Sequence, residues 1–245
     1  MQVSNGLSSL FYSIPPFTRT YLVILLLTGF GGSLGLFNVM SLVFIREPIL
    51  KKFEIWRLVS NFFYVGGPSM NFVFTLMFIY SFCSSFELNP LSCTRGAAGD
   101  AADFLFCILW GAFLNIIVAF IVPNFLLSMP LLQYIIYLWS KQNPETPKSF
   151  WGISVKGFYI PFALIAFSLL TGAPIMENVI GIATGHFFYY FSQVCEKTKN
   201  SPLFVTPNAL RKLLSLPPAG QNKKDDDIYK RKWGMGSGHR LGSEM

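Results

Sequence analysis

Charge is what this chain has least of. Only 13% of its 245 residues are Asp, Glu, Lys or Arg, against about 25% in an ordinary soluble domain. No charged residue falls between Arg19 and Arg46, Arg57 and Glu87, Asp103 and Lys141, Lys156 and Glu177, or Glu177 and Glu196. A helix that crosses a bilayer core needs about 20 predominantly apolar residues, so nearly everything up to Cys195 reads as membrane. Mean hydropathy is +0.48. The net charge of +7 belongs largely to the C-terminal tail, because eight of nineteen Lys and Arg lie from Arg211 onward. That tail suits anionic lipid or an acidic partner, and no nucleic-acid fold accompanies it.

Other absences narrow the chemistry. The four cysteines (Cys83, Cys93, Cys107 and Cys195) have no metal or redox spacing, and Cys83 and Cys107 read as packing thiols. No glycine-rich nucleotide loop occurs, and nothing calls for a metal or cofactor. There is no Asn-x-Ser/Thr site to report which loops are luminal. The first apolar run, from Tyr21 to Phe44, exceeds the roughly 7–15 residues of a signal-peptide core and has no small-residue cleavage site, so it reads as a retained anchor.

What is present divides into six predicted spans: about Thr20–Phe44, Ser69–Phe86, Phe104–Pro123, Asn124–Trp139, Gly157–Ala173 and Asn178–Cys195. Pro123-Asn124 splits the long uncharged run, since proline disfavours helix at the preceding residue. An even number puts both termini on one side. Arg19, Arg95, Lys141, Lys148, Lys156, Lys197 and Lys199 mark that side as cytosolic, against Arg46, Lys51, Lys52 and Arg57 in the first loop. That loop (Ile45–Pro68) is basic, then amphipathic, then aromatic. Leu50, Phe53, Ile55, Trp56, Val59, Phe62 and Phe63 roughly follow helical spacing, which predicts a hairpin partly sunk into the luminal leaflet and ending at Gly66-Gly67-Pro68. Residues 1–195 are thus expected to form a membrane domain and 196–245 a cytosolic tail. In the tail, Thr206–Ser215 can make a short surface helix, and Leu216–Met245 is too polar to form a core.

Four features carry candidate function. Trp56-Arg57 precedes the second span; tryptophan prefers the interface and arginine must snorkel or pair, so an ordinary anchor is one reading. Gly181 and Gly185 form a GxxxG in the last span, where glycines four apart let another backbone approach; generic helix packing explains them equally well. His186 is the one histidine within the spans and a candidate intramembrane polar group, or a neutral donor to a neighbouring helix. In the tail, Trp233, Gly236, Gly238, Arg240, Leu241 and Gly242 read as a linear peptide ligand, with Trp and Leu as anchors.

Together these segments resemble the Derlin family of rhomboid-like pseudoproteases. The resemblance spans about Leu10 to Leu214 and rests on EIWRLVSNFFYVGGP (Glu54–Pro68), AADFLF (Ala101–Phe106), YLWSKQNPE (Tyr137–Glu145) and GIATGHFFYYF (Gly181–Phe191). Trp56-Arg57 matches the family's luminal WR motif and Gly181/Gly185 its last-helix GxxxG. The C-terminal WGMGSGHRLG is similar to the family's SHP box. The resemblance implies an all-α, polytopic, rhomboid-like six-helix bundle in the endoplasmic-reticulum membrane, with a membrane-embedded first luminal loop and a disordered cytosolic tail. It further implies a non-catalytic role in endoplasmic-reticulum-associated degradation: helping misfolded polypeptides reach the cytosol, with a valosin-containing-protein type AAA ATPase, a membrane ubiquitin ligase complex and other copies as partners.

The residues argue against proteolysis. A rhomboid protease needs a GxSG serine in the fourth span and a histidine three residues before the first GxxxG glycine, because serine attacks only once a base within about 3 Å takes its proton. Here Ser128 stands between Leu127 and Met129-Pro130, and Asn178 occupies the base position. A transporter would want paired ionisable groups in its spans, and His186 stands alone. Two readings remain: a locally thinned or hydrated path for substrates, with short spans interrupted by Asn71 and Gln133, or an adaptor that links ATPase and ligase without a conduit.

Overall fold

The computed structural model describes residues 11–93, 99–122, 126–150, 153–195, 206–214 and 216. Helix α1 (Pro16–Ser33) starts on Pro15-Pro16, where proline's fixed φ suits the first turn. Its orphan amides are satisfied from elsewhere: Glu87 accepts from the Phe17 and Thr18 N–H groups at 2.8 Å each and from the Thr18 hydroxyl at 2.7 Å. A carboxylate at a helix N-terminus also meets the positive end of the dipole. Hydrogen bonds to a charged group contribute about 1.5–3 kcal/mol net, so Glu87→Ala is expected to lower stability in detergent by about 2 kcal/mol. Thermal unfolding against Glu47→Ala, whose ion pair with Lys51 is exposed, checks this; equal midpoints would contradict it.

The first predicted span is too long. Helix α1 ends at Ser33, and Gly35 takes a left-handed φ of 72°. The chain then makes a short 3-10 turn, Val39–Ser41, capped by the Asn38 side chain. Leu34–Phe44 therefore opens the first loop, which continues through α2 (Arg46–Lys52), α3 (Arg57–Ser60) and the turn Asn61–Phe63. Helix α4 (Met70–Leu88) widens into a π segment at Ile79–Cys83, and α5 (Ala101–Ile121) starts from an Asp100/Asp103 capping box. Among the described residues, α4 and α5 are the helices long and apolar enough by themselves to cross a membrane.

Helix α6 (Ser128–Gln142) is the axis of the fold. Every residue from Pro130 to Ser140 is buried, so its polar groups are sheltered by neighbours. At 15 residues it is about 22 Å long. Tyr134 packs where Gly111 of α5 has no side chain and donates its hydroxyl to the Cys107 carbonyl at 2.9 Å. An antiparallel ribbon follows, β1 (Pro147–Phe150) with β2 (Ile153–Lys156), pairing Pro147 with Lys156. The fold is mostly helical, as the all-α reading expects, and this short ribbon between Thr146 and Gly157 is an addition to it. Lys148 reaches from the ribbon to the Ser85 hydroxyl (2.9 Å) over the rings of Trp139 and Phe82, and burial pushes its ammonium pKa down. Helix α7 (Ile160–Thr171) and α8 (Ile175–Tyr189) complete the bundle, with α8 continuing as a π turn, Tyr190–Cys195.

The tail does not start as a free surface helix. Helix α9 (Asn208–Leu213) docks on the first turn of α5. Buried Arg211 pairs with Asp100 at 2.5 Å, and the Thr206 hydroxyl bonds to Asp103.

Candidate functional site

The glycines of α8 settle which helix it meets. A Cβ on Gly181 would stand 2.5 Å from the Pro130 carbonyl oxygen and 2.6 Å from Gln133 Cβ; one on Gly185 would stand 2.9 Å from Tyr137 Cδ1. Four residues along α8 match four along α6 in the same sense, so the two helices run parallel with backbones in close approach. Between the glycines, Thr184 points to α5, its hydroxyl 3.4 Å from buried Asn115 Oδ1.

Beside this seam, toward the N-terminal ends of α6 and α8, lies a small open cleft with a cavity volume of about 70 Å³. Its polar lining comes from four helices: Asn71 and Thr75 of α4, Gln133 of α6, Ser168 of α7, and Glu177 and Asn178 of α8. Asn178 Nδ2 donates to Ser168 Oγ at 2.7 Å, bridging α7 and α8. Gln133 donates to the Pro161 carbonyl at 2.9 Å, bridging α6 and α7. On the far wall α4 and α7 meet through aromatic edges, Phe74 and Phe78 against Phe167 at 5.4 and 5.9 Å. Amides, hydroxyls and one carboxylate can exchange hydrogen bonds with a peptide backbone, whose groups cost several kcal/mol each if left unpaired in hydrocarbon.

The cleft does not assemble a serine nucleophile with a base. Ser128 is buried and donates to the Tyr64 carbonyl at 2.7 Å. Asn178, in the place a protease base would take, is engaged with Ser168. His186 lies eight residues beyond it, about 12 Å along the helix, and its Nδ1 is 2.7 Å from the Tyr137 hydroxyl.

The first loop packs as a rigid cap beside the cleft. Arg57 is only 8% exposed. Its guanidinium donates to the carbonyls of Met40 and Val43 (3.0 Å) and to the Glu54 carboxylate (2.5 Å), so it ties two stretches of the loop together. Tyr21 and Thr28 of α1 donate to the Phe62 and Phe63 carbonyls at 2.8 and 2.5 Å, and Arg46 donates to the Ala119 carbonyl at the end of α5. Trp56 points the other way, 57% exposed, in an outward apolar face with Leu50, Phe53, Ile55 and Val59. The two halves of the Trp56-Arg57 pair thus act separately, Arg57 inward as a clasp and Trp56 outward.

Sequence reading flagged Asn71 and Gln133 only as interruptions and passed over Glu177 and Ser168; a polar residue at the mouth of each of four apolar runs was the available signal. Trp233, Gly236, Gly238, Arg240, Leu241 and Gly242 lie outside the described residues.

The family model described as the Der1-like family matches residues 14–208, and the chain belongs to that family. It is 32% identical to Derlin-1 of Arabidopsis thaliana over 207 residues, covering 83% of this chain and 75% of that protein. It is 28% identical to Derlin-2.2 of Arabidopsis thaliana over 236 residues (91% and 94%) and 26% identical to Derlin-2 of Oryza sativa subsp. japonica over 256 residues (98% and 97%). Membership implies a role connected with endoplasmic-reticulum-associated degradation at the endoplasmic-reticulum membrane, and it fits a non-enzymatic, pseudoprotease body.

Proposed function

We propose that this protein is a non-catalytic retrotranslocation factor: a six-span bundle, both termini cytosolic, that offers misfolded polypeptides a thinned and partly hydrated passage across the endoplasmic-reticulum membrane. One observation carries the reading, the polar cleft that α4, α6, α7 and α8 share toward the N-terminal ends of α6 and α8. Two features support it. Helix α6 has 15 residues, and α7 with the 3-10 turn that leads into it runs Gly157–Thr171; both are about 22–24 Å long, against a hydrocarbon core of about 30 Å. Short spans are accommodated by thinning the bilayer. The outward apolar face of the first loop, Phe53 to Val59, would sit in the luminal leaflet beside the cleft.

In this reading the chain supplies the path and a partner supplies the work. The tail residues Trp233, Gly236, Gly238, Arg240, Leu241 and Gly242 recruit a AAA ATPase of the valosin-containing-protein type, and a membrane ubiquitin ligase complex marks the emerging substrate. Deleting Trp233–Met245 is expected to abolish ATPase co-purification and leave membrane insertion intact; persistent co-purification would refute that assignment. Photo-crosslinkers placed at Val73 of α4 and Leu164 of α7 test the conduit. Adducts with a misfolded substrate at those depths support it, whereas adducts confined to the tail and loops identify an adaptor that joins ATPase and ligase. The docking of α9 on Asp100 and Asp103 is what an adaptor would use, since it ties the tail to the bundle.

A further inference from the structure

His186 takes no part in the cleft. It lines a second recess of about 220 Å³, at the opposite end of the α6–α8 seam, with Tyr137, Ser140 and Lys141 of α6, Phe158 in the turn before α7, Pro161 and Phe162 at the start of α7, and Ile182 of α8. We propose that this recess binds one anionic diacyl phospholipid.

The geometry sorts the recess into three levels along α6 and α8. Outermost is Lys141, whose ammonium lies 5.4 Å from the ring centroids of both Tyr137 and Phe158. Two aromatic faces hold the cation in place, and no carboxylate among the described residues lies within ion-pair distance of it. One turn deeper, about 6 Å, the Tyr137 hydroxyl meets His186 Nδ1 at 2.7 Å. When that hydroxyl donates, Nδ1 accepts and Nε2 carries the ring proton, leaving an N–H donor on an exposed side chain. Deeper still, Ile182, Pro161 and the half-exposed Phe162 are wholly apolar.

Cation, then hydrogen-bond donor, then hydrocarbon is the order that matches a phospholipid's phosphate, ester carbonyl and acyl chain. Free phosphate has nothing to place against Ile182 and Phe162. Phosphatidylcholine has no net charge, its quaternary ammonium offsetting the attraction of its phosphate to Lys141, whereas a headgroup of net negative charge keeps that attraction, so the lipid selected is anionic. Under the orientation proposed above it comes from the cytosolic leaflet; the binding itself does not depend on that orientation.

Native mass spectrometry of the full-length protein in mixed micelles tests this, using palmitoyl-oleoyl phosphatidylserine and the matching phosphatidylcholine as probes. One retained phosphatidylserine, preferred over phosphatidylcholine by about fivefold, is expected; a basic residue near an anionic lipid contributes about 1 kcal/mol, which is that factor. The preference should vanish in Lys141→Gln. Retention should fall about fivefold in His186→Ala and in Ile182→Trp, which fills the apolar floor, while Lys51→Gln on the opposite face leaves it unchanged. Equal retention of both lipids, unchanged retention in all three recess variants, or displacement by inorganic phosphate alone would each overturn the proposal. A failed crosslink in the cleft with phosphatidylserine still bound would remove the conduit and leave the lipid site standing.

Discussion

Gly181→Leu is expected not to yield a folded protein in mild detergent. The first obstacle to any side chain at this position is backbone, the Pro130 carbonyl oxygen at 2.5 Å from where Cβ would stand, and Gln133 Cβ stands at 2.6 Å. A rotamer change cannot clear a carbonyl, so α6 and α8 must part along a seam that both close α6 and align the cleft. Overpacking a good interface costs about 1–3 kcal/mol when side chains can give way. Gly181→Ala should exceed that range, lowering the unfolding midpoint by about 10 °C. Gly185→Ala should cost less, because its obstacle is the Tyr137 side chain, with Cδ1 at 2.9 Å. Ala183→Leu on the exposed face between them is the control. Thermal unfolding in detergent reads all three; a Gly181→Ala midpoint equal to that of Ala183→Leu would show that the seam is not close-packed.

The second large effect belongs to Arg57. Arg57→Ala removes the donors to Met40, Val43 and Glu54 together, leaving a carboxylate only 18% exposed and two carbonyls without their partner. Breaking a buried ion pair in this way costs about 3–5 kcal/mol. The loss should be local, since the loop's other ties run through Tyr21, Thr28, Ser128 and Arg46. Hydrogen exchange is therefore expected to accelerate across Val39–Ser60 and stay slow in α5 and α6. Arg57→Lys should rescue little, because one ammonium cannot reproduce the guanidinium fork. Trp56→Ala separates the two halves of the motif: it should leave exchange in micelles almost unchanged, because Trp56 is more than half exposed on the outward face, and reduce contact of the loop with lipid in bilayers. Loop exchange that responds to Trp56 and ignores Arg57 would reverse the assignment.

Much of the bundle was legible from spacing. Charge-free runs located α4, α5 and α7 to within a few residues, because apolar length is a strong signal where hydrocarbon is the solvent. The end of α1 was not legible: the run stays apolar to Ile45, and only Gly35 and Asn38, which stop the helix locally, distinguish loop from span. Nor was the inward turn of Arg57. Sequence makes it a basic residue at an interface, and its burial depends on the stretch from Met40 to Val43 folding back over Glu54 and Arg57. The partner of the GxxxG was equally hidden, since a small-residue pair announces a close approach but not by whom. The cleft was half visible, as polar residues in four separate runs with no means of telling that they converge.

The docking of α9 has a mechanical consequence. The Leu216 N–H holds the Arg211 carbonyl at 2.8 Å, and Arg211 in turn grips Asp100, the residue that caps α5. A pull applied beyond Leu216 therefore arrives first at the opening turn of α5 rather than at α8, to which the tail is joined in sequence. The clasp would act as a strain relief, sparing the α6–α8 seam until the Arg211–Asp100 and Thr206–Asp103 contacts give way.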